Sequence, residues 1–217
     1  MKNHSECARN SVSEDTKPTA VIYFHVGGGK PQWHIQADAL EIAKMEWDMV
    51  LAFPPCTHLA SSGAAWFDQK KRDGRQYMGM GFSLAFTALD HIPMVAIENP
   101  VGIMSKTYRK PDQIIHPWQF GDPHEKTTCL WLKGLPPLKP LITEQPELEW
   151  FEWTDGKTGR KKRQPKWYAD ALALPPHERA MVRSKTFPGI AKAMAEQWGS
   201  LEKPYEEEKQ ITFDKIE

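Results

Sequence analysis

Four short apolar runs punctuate the chain, and each stops at residues that break a strand. Residues 21–26 are β-branched and aromatic and run into Gly27-Gly28-Gly29, a composition that predicts a strand and a turn. Residues 48–53 repeat the pattern up to Pro54-Pro55, residues 93–97 up to Glu98-Asn99-Pro100, and residues 127–132 up to Lys133-Gly134. Between them, residues 38–45 have helical composition. Residues 76–90 place Met80, Leu84 and Leu89 close to one helix face. Residues 188–198 read as a helix with proline in its first turn. Strands that are apolar throughout and separated by helices predict an α/β fold with a parallel sheet covered on both sides. In such sheets ligands sit at the carboxyl ends of the strands, and both Pro54-Pro55-Cys56 and Glu98-Asn99-Pro100 occupy such ends.

The pattern also divides the chain. Residues 1–18 are polar and read as an arm, and 19–134 as the core. Residues 135–183 are rich in proline and tryptophan and carry the basic run Lys157, Arg160, Lys161, Lys162, Arg163 and Lys166, the mark of a small inserted lobe. Residues 184–201 return to the core as its last helix, and 202–217 form a charged tail. The 28 Lys and Arg balance the 28 Asp and Glu, which excludes a uniformly cationic coat, so nucleic-acid contact has to come from a local patch such as that lobe. Three widely spaced cysteines suit neither a disulfide framework nor a paired-cysteine zinc site, and no metal is expected. With no apolar leader or membrane-length run, the expectation is a soluble, cytoplasmic monomer.

Cys56 follows two prolines at a strand end, where the backbone is stiff and a side chain is directed into the cleft. A thiolate held there is a nucleophile, although most free cysteines are buried and inert. A carboxyl group in a partly desolvated cleft, as Glu98 would be, gains a raised pKa and can donate or accept a proton. The bland alternative is that Glu98 caps the next helix.

Five segments, in order, carry a resemblance: 54–63 (PPCTHLASSG), 96–102 (AIENPVG), 109–113 (RKPDQ), 128–133 (TCLWLK) and 186–191 (TFPGIA). Together they resemble the DNA cytosine-5 methyltransferase family, in a short, phage-type branch. The resemblance implies a Rossmann-like fold dependent on S-adenosyl-L-methionine, and DNA as the partner. It implies Cys56 as the nucleophile adding to cytosine carbon 6, with Glu98 at ring nitrogen 3. Phe24, Gly27, Gly29, Asp38, Pro54 and Gly189 would lie against the cofactor. Asn99, Lys126 and Thr128 would lie around the base, and Arg160, Lys161, Lys162 and Arg163 along the DNA, with Trp150, Trp153, Trp167 and Tyr168 to stack or wedge.

The departure from that family lies near the amino terminus. Only 29 positions separate Gly27 from Cys56, about the length of one βαβ unit, so the first such unit is expected to be missing and the cofactor loop compressed. The alternative expectation is therefore an inactive relative that binds nucleic acid or a host partner. A free pyrimidine nucleotide is a third candidate substrate. A zinc deaminase would need a second cysteine where Leu59 stands. Cys56, His58, His116 and His124 lack zinc-finger spacing.

Overall fold

The structure, a computed structural model, describes residues 19–24, 33–184, 187–202 and 204–205, with side chains from Asp38 onward. Strand β1 (Thr19–Phe24) pairs antiparallel with β2 (Trp33–Asp38) as a separate two-stranded sheet. Of the strand expected at 21–26, residues 21–24 lie in β1, and 25–26 lie outside the described residues. This strand belongs to a hairpin, however, and not to the central sheet, because its partner, 33–38, is the next segment of chain. Helix α1 (Ala39–Ile42) follows at once, its start fixed by the Asp38 carboxylate accepting a hydrogen bond from the Leu40 N–H at 2.9 Å.

Strand β3 (Met49–Ala52) then opens the central sheet. A 3-10 turn (Ser61–Trp66), α2 (Phe67–Arg72), α3 (Arg75–Ala85) and a further 3-10 turn (Phe86–Ala88) carry the chain across to β4 (Met94–Pro100). After α4 (Met104–Thr107) come β5 (Gln113–Ile115) and β6 (Thr128–Lys133), completing the order β3-β4-β6-β5. The fold is thus mixed α/β, and the expected all-parallel sheet is corrected. Only β3 and β4 run parallel; β6 is antiparallel to β4, and β5 to β6. Parallel neighbours need a long crossover. The 41-residue stretch from 53 to 93 supplies one; β5 then runs in the direction of β4, and residues 116–127, which hold no long helix, turn the chain back antiparallel into β6.

Both faces of the sheet are covered, as the unbroken apolar runs require. On one side Val50, Ala52, Val95, Ile97, Cys129 and Trp131 meet Ala39, Leu59, Met80 and Met104. On the other, Met94, Ala96 and Leu130 meet Ile190, Ala193, Met194 and Trp198 of the last helix, α7. The lobe holds a hairpin, β7 (Trp150–Thr154) with β8 (Lys161–Pro165), then α5 (Lys166–Asp170) and α6 (Pro176–Ser184), and α7 (Pro188–Trp198) returns to the sheet. Leu135 and Leu138, at the start of the lobe sequence, lie in the core. Among the described residues no helix is long and apolar enough to cross a membrane.

Candidate functional site

The parallel pair β3 and β4 decides where the two candidate groups meet. Ala52 registers with Ile97, so the chain leaves β3 toward Cys56 at the level where β4 reaches Glu98 and Asn99. Asn99 is fully buried, and its side-chain N–H2 donates to the Pro54 carbonyl at 3.2 Å. That bond ties the Pro-Pro-Cys turn to the Glu-Asn strand end. The Cys56 carbonyl in turn accepts from the Leu59 and Ala60 N–H groups at 3.0 and 2.9 Å, while buried Leu59 anchors the loop in the core.

The loops after the two strands are also laced together. Ser61 N–H donates to Val101 O, and Ile103 N–H to Leu59 O, each at 2.9 Å. Gly102 sits between them, and a Cβ there would fall 2.0 Å from the Leu59 carbonyl oxygen. No side-chain adjustment relieves a clash with backbone. Gly102→Ala is expected to cost about 3 kcal/mol or more of stability and to displace Cys56. Thermal unfolding and thiol alkylation would register it; a variant as stable as the parent would contradict this packing.

Electrostatics couple the same groups. Burial raises the Cys56 thiol pKa first, the Glu98 carboxylate raises it further, and Lys126 and Lys70 pull it back. Glu98 is itself raised, chiefly by burial, with Lys126 opposing. It makes no hydrogen bond or ion pair with the described residues. The Lys126 charge thus acts on both groups, and its ammonium also lies 5.7 Å from the Phe187 ring centroid. Cys129, buried on β6, is pushed up to about 11 by burial and by Glu98, which leaves Cys56 the more accessible thiol.

Lys70, which the sequence did not single out, and His58, which it offered only as a metal ligand, belong here. Lys70 is only 9% exposed yet has no carboxylate partner among the described residues; its ammonium donates to the Thr57 carbonyl at 2.6 Å. Nothing in the sequence sets it apart from its exposed neighbours Lys71 and Arg72. His58 keeps a buried Nδ1 without a partner, and burial, then Lys70 and Arg75, hold its pKa low.

The remaining candidates are placed differently. Asn99 and Thr128 are buried: the Asn99 N–H2 donates to Pro54 while its Oδ1 has no hydrogen-bond partner among the described residues, and the Thr128 hydroxyl donates to the Lys126 carbonyl at 3.4 Å. Arg160, Lys161, Lys162 and Arg163 lie on or beside β8 in the lobe. Lys162 pairs with Asp155, holding that carboxyl well below its usual range, and Arg163 stacks over Trp150 at 4.2 Å. Gly27 and Gly29 lie outside the described residues, as does the side chain of Phe24.

The other residues expected to hold S-adenosyl-L-methionine are occupied with the fold. The Asp38 carboxylate caps α1. Pro54 is buried, with its carbonyl bonded to Asn99. Gly189 lets α7 approach the Phe120 carbonyl, where a Cβ would stand 2.1 Å away, and its N–H donates to the Asp122 carboxylate at 2.7 Å. Comparison with family models, curated proteins and solved structures finds no match.

Proposed function

We propose that the protein is a DNA cytosine-5 methyltransferase-like protein whose Cys56 adds covalently to cytosine. The observation that carries this reading is the bond from Asn99 to Pro54, which holds a cysteine and a carboxyl group at adjoining strand ends. Both groups act on the base, and their chemistry there stands apart from any cofactor.

Cys56 and Glu98 lower each other's tendency to ionise, so the pair favours a single negative charge. Thiol with carboxylate is one arrangement, and thiolate with carboxylic acid is the other. The second is the productive one. The thiolate forms a bond to carbon 6 as the acid delivers its proton to ring nitrogen 3, and the electron pair of the 5,6 double bond moves to carbon 5. The Lys126 charge acts on both groups and stabilises the shared charge in either arrangement. Carbon 5 then takes an electrophile. Loss of the original proton from carbon 5 to water restores the double bond and expels the thiolate, and nitrogen 3 returns its proton to Glu98. A duplex base has to be turned out of the stack for this attack, and the basic, aromatic lobe supports DNA as the partner.

Hydrogen exchange at carbon 5 tests the reading without any methyl donor. Addition of Cys56 lets carbon 5 pick up a solvent proton before elimination. DNA tritiated at that carbon is expected to release tritium to water, and its retention would sink the proposal. The occupied Asp38, Pro54 and Gly189 favour a second reading, a binding protein of the same descent that no longer transfers a methyl group. Tight DNA binding without exchange is its signature.

A further inference from the structure

An open cleft of about 300 Å³ lies between the core and the lobe hairpin, lined by His116, Trp118, Glu125, Gln145, Trp150 and Arg163. It sits at the same end of the sheet as Cys56 and Glu98. Thr128, the first residue of β6, registers with Pro100, so the loop leading into β6 lies at the end of β4 where Glu98 stands, and Glu125 directly precedes Lys126.

One carboxylate organises the cleft. Glu125 Oε1 lies 2.6 Å from His116 Nδ1, and Oε2 accepts from Trp118 Nε1 at 3.0 Å and from Gln145 Nε2 at 3.1 Å. Its backbone carbonyl accepts from Trp167 Nε1 of α5 at 3.0 Å, which latches the lobe to this loop. His116 and Trp118 are stacked, 6.0 Å apart and 18° from parallel, and Arg163 covers Trp150. Glu125 Oε2 takes both hydrogen bonds, while the close Oε1–His116 contact leaves Nδ1 without a well-directed hydrogen bond, so the cleft offers ring faces, the Gln145 amide oxygen and the guanidinium donors of Arg163. Lys161, two positions away on β8 and hence on the same face, is exposed. Flat walls, a polar edge and cations at the rim match a nucleobase joined to phosphate.

We propose that this cleft receives the base next to the target cytosine in a polynucleotide strand, so that two adjacent bases are held at once. The inference rests on the cytosine reading above and assigns the acceptor as polynucleotide rather than free nucleotide. Aromatic stacking sets the expected size of the effect. Removing one neighbouring base while keeping its sugar and phosphate should weaken binding of a single-stranded oligonucleotide roughly 5- to 150-fold, on one side of the cytosine only.

The test compares an oligonucleotide carrying a single cytosine with versions abasic at either neighbour. The wild-type protein should discriminate, and Trp150→Ala should bind both alike. Gln145→Ala guards against a collapsed hairpin, because that side chain is exposed and its partner among the described residues is Glu125; it should reduce the discrimination. Indifference of the wild type to both abasic sites overturns the proposal, as does undiminished discrimination in both variants. Tritium release with no neighbour effect leaves the cytosine chemistry standing and removes only the cleft; neighbour discrimination without tritium release does the reverse.

Discussion

Cys56→Ser is expected to abolish hydrogen exchange at cytosine carbon 5, with a loss on the order of 10³-fold or more, as for removal of a covalent nucleophile elsewhere. A serine hydroxyl is far less acidic than a thiol, even a thiol whose pKa burial and Glu98 have raised. The substitution isolates chemistry from structure. Position 56 supports its loop through its backbone carbonyl, which accepts from Leu59 and Ala60, and serine keeps that carbonyl. DNA affinity and the unfolding temperature should stay near those of the parent. Exchange surviving in the serine protein would remove Cys56 from the reaction.

Three strands of the central sheet, β3, β4 and β6, were legible because each is apolar throughout and stops at proline, glycine or a polar pair, as a strand buried on both faces does; the three-residue β5 was missed. The last helix was legible from its proline start and its small and apolar residues. The direction of β6 was not. An apolar run such as 127–132 looks the same whichever way it crosses the sheet, and what decides its direction is the short reversal from β5 through residues 116–127. The hairpin partner 33–38 was missed as well, because Asp38 and the residues after it carry a helical signal that masks the strand before them.

The site shows the same division. Cys56 and Glu98 stood out because reactive groups at strand ends, next to prolines, are placed by covalent stiffness and by the sheet itself. Lys70 and Glu125 did not. Their roles depend on which carbonyl or ring the fold brings to them from far along the chain, and sequence spacing holds no record of that. Asn99 was singled out for the base, and its N–H2 also fixes the Pro-Pro-Cys turn through Pro54 while its Oδ1 stays without a partner among the described residues; a residue beside a functional group can serve by fixing it in place.

Glu98→Gln should separate function from stability in opposite directions. The amide cannot hand a proton to ring nitrogen 3, so exchange should fall about 10²-fold or more. Folding should gain. Burial raises the Glu98 pKa above the ordinary carboxyl value of 4.5, so the native state keeps this proton to higher pH than the unfolded chain does. Across that window the native protein holds more protons, and stability falls as pH rises. At pH 7, above the ordinary carboxyl value, the raised pKa counts against the folded wild type, and glutamine carries no such penalty. The variant should unfold at a higher temperature at pH 7, with the difference closing as pH drops toward the ordinary carboxyl range. The Cys56 thiol should respond in step. Without the facing carboxylate its pKa falls, and its alkylation by iodoacetamide, followed on the Cys56 peptide, should reach half its limiting rate at lower pH. A variant less stable at pH 7, or an alkylation profile that does not move, would mean that Glu98 and Cys56 do not share one charge.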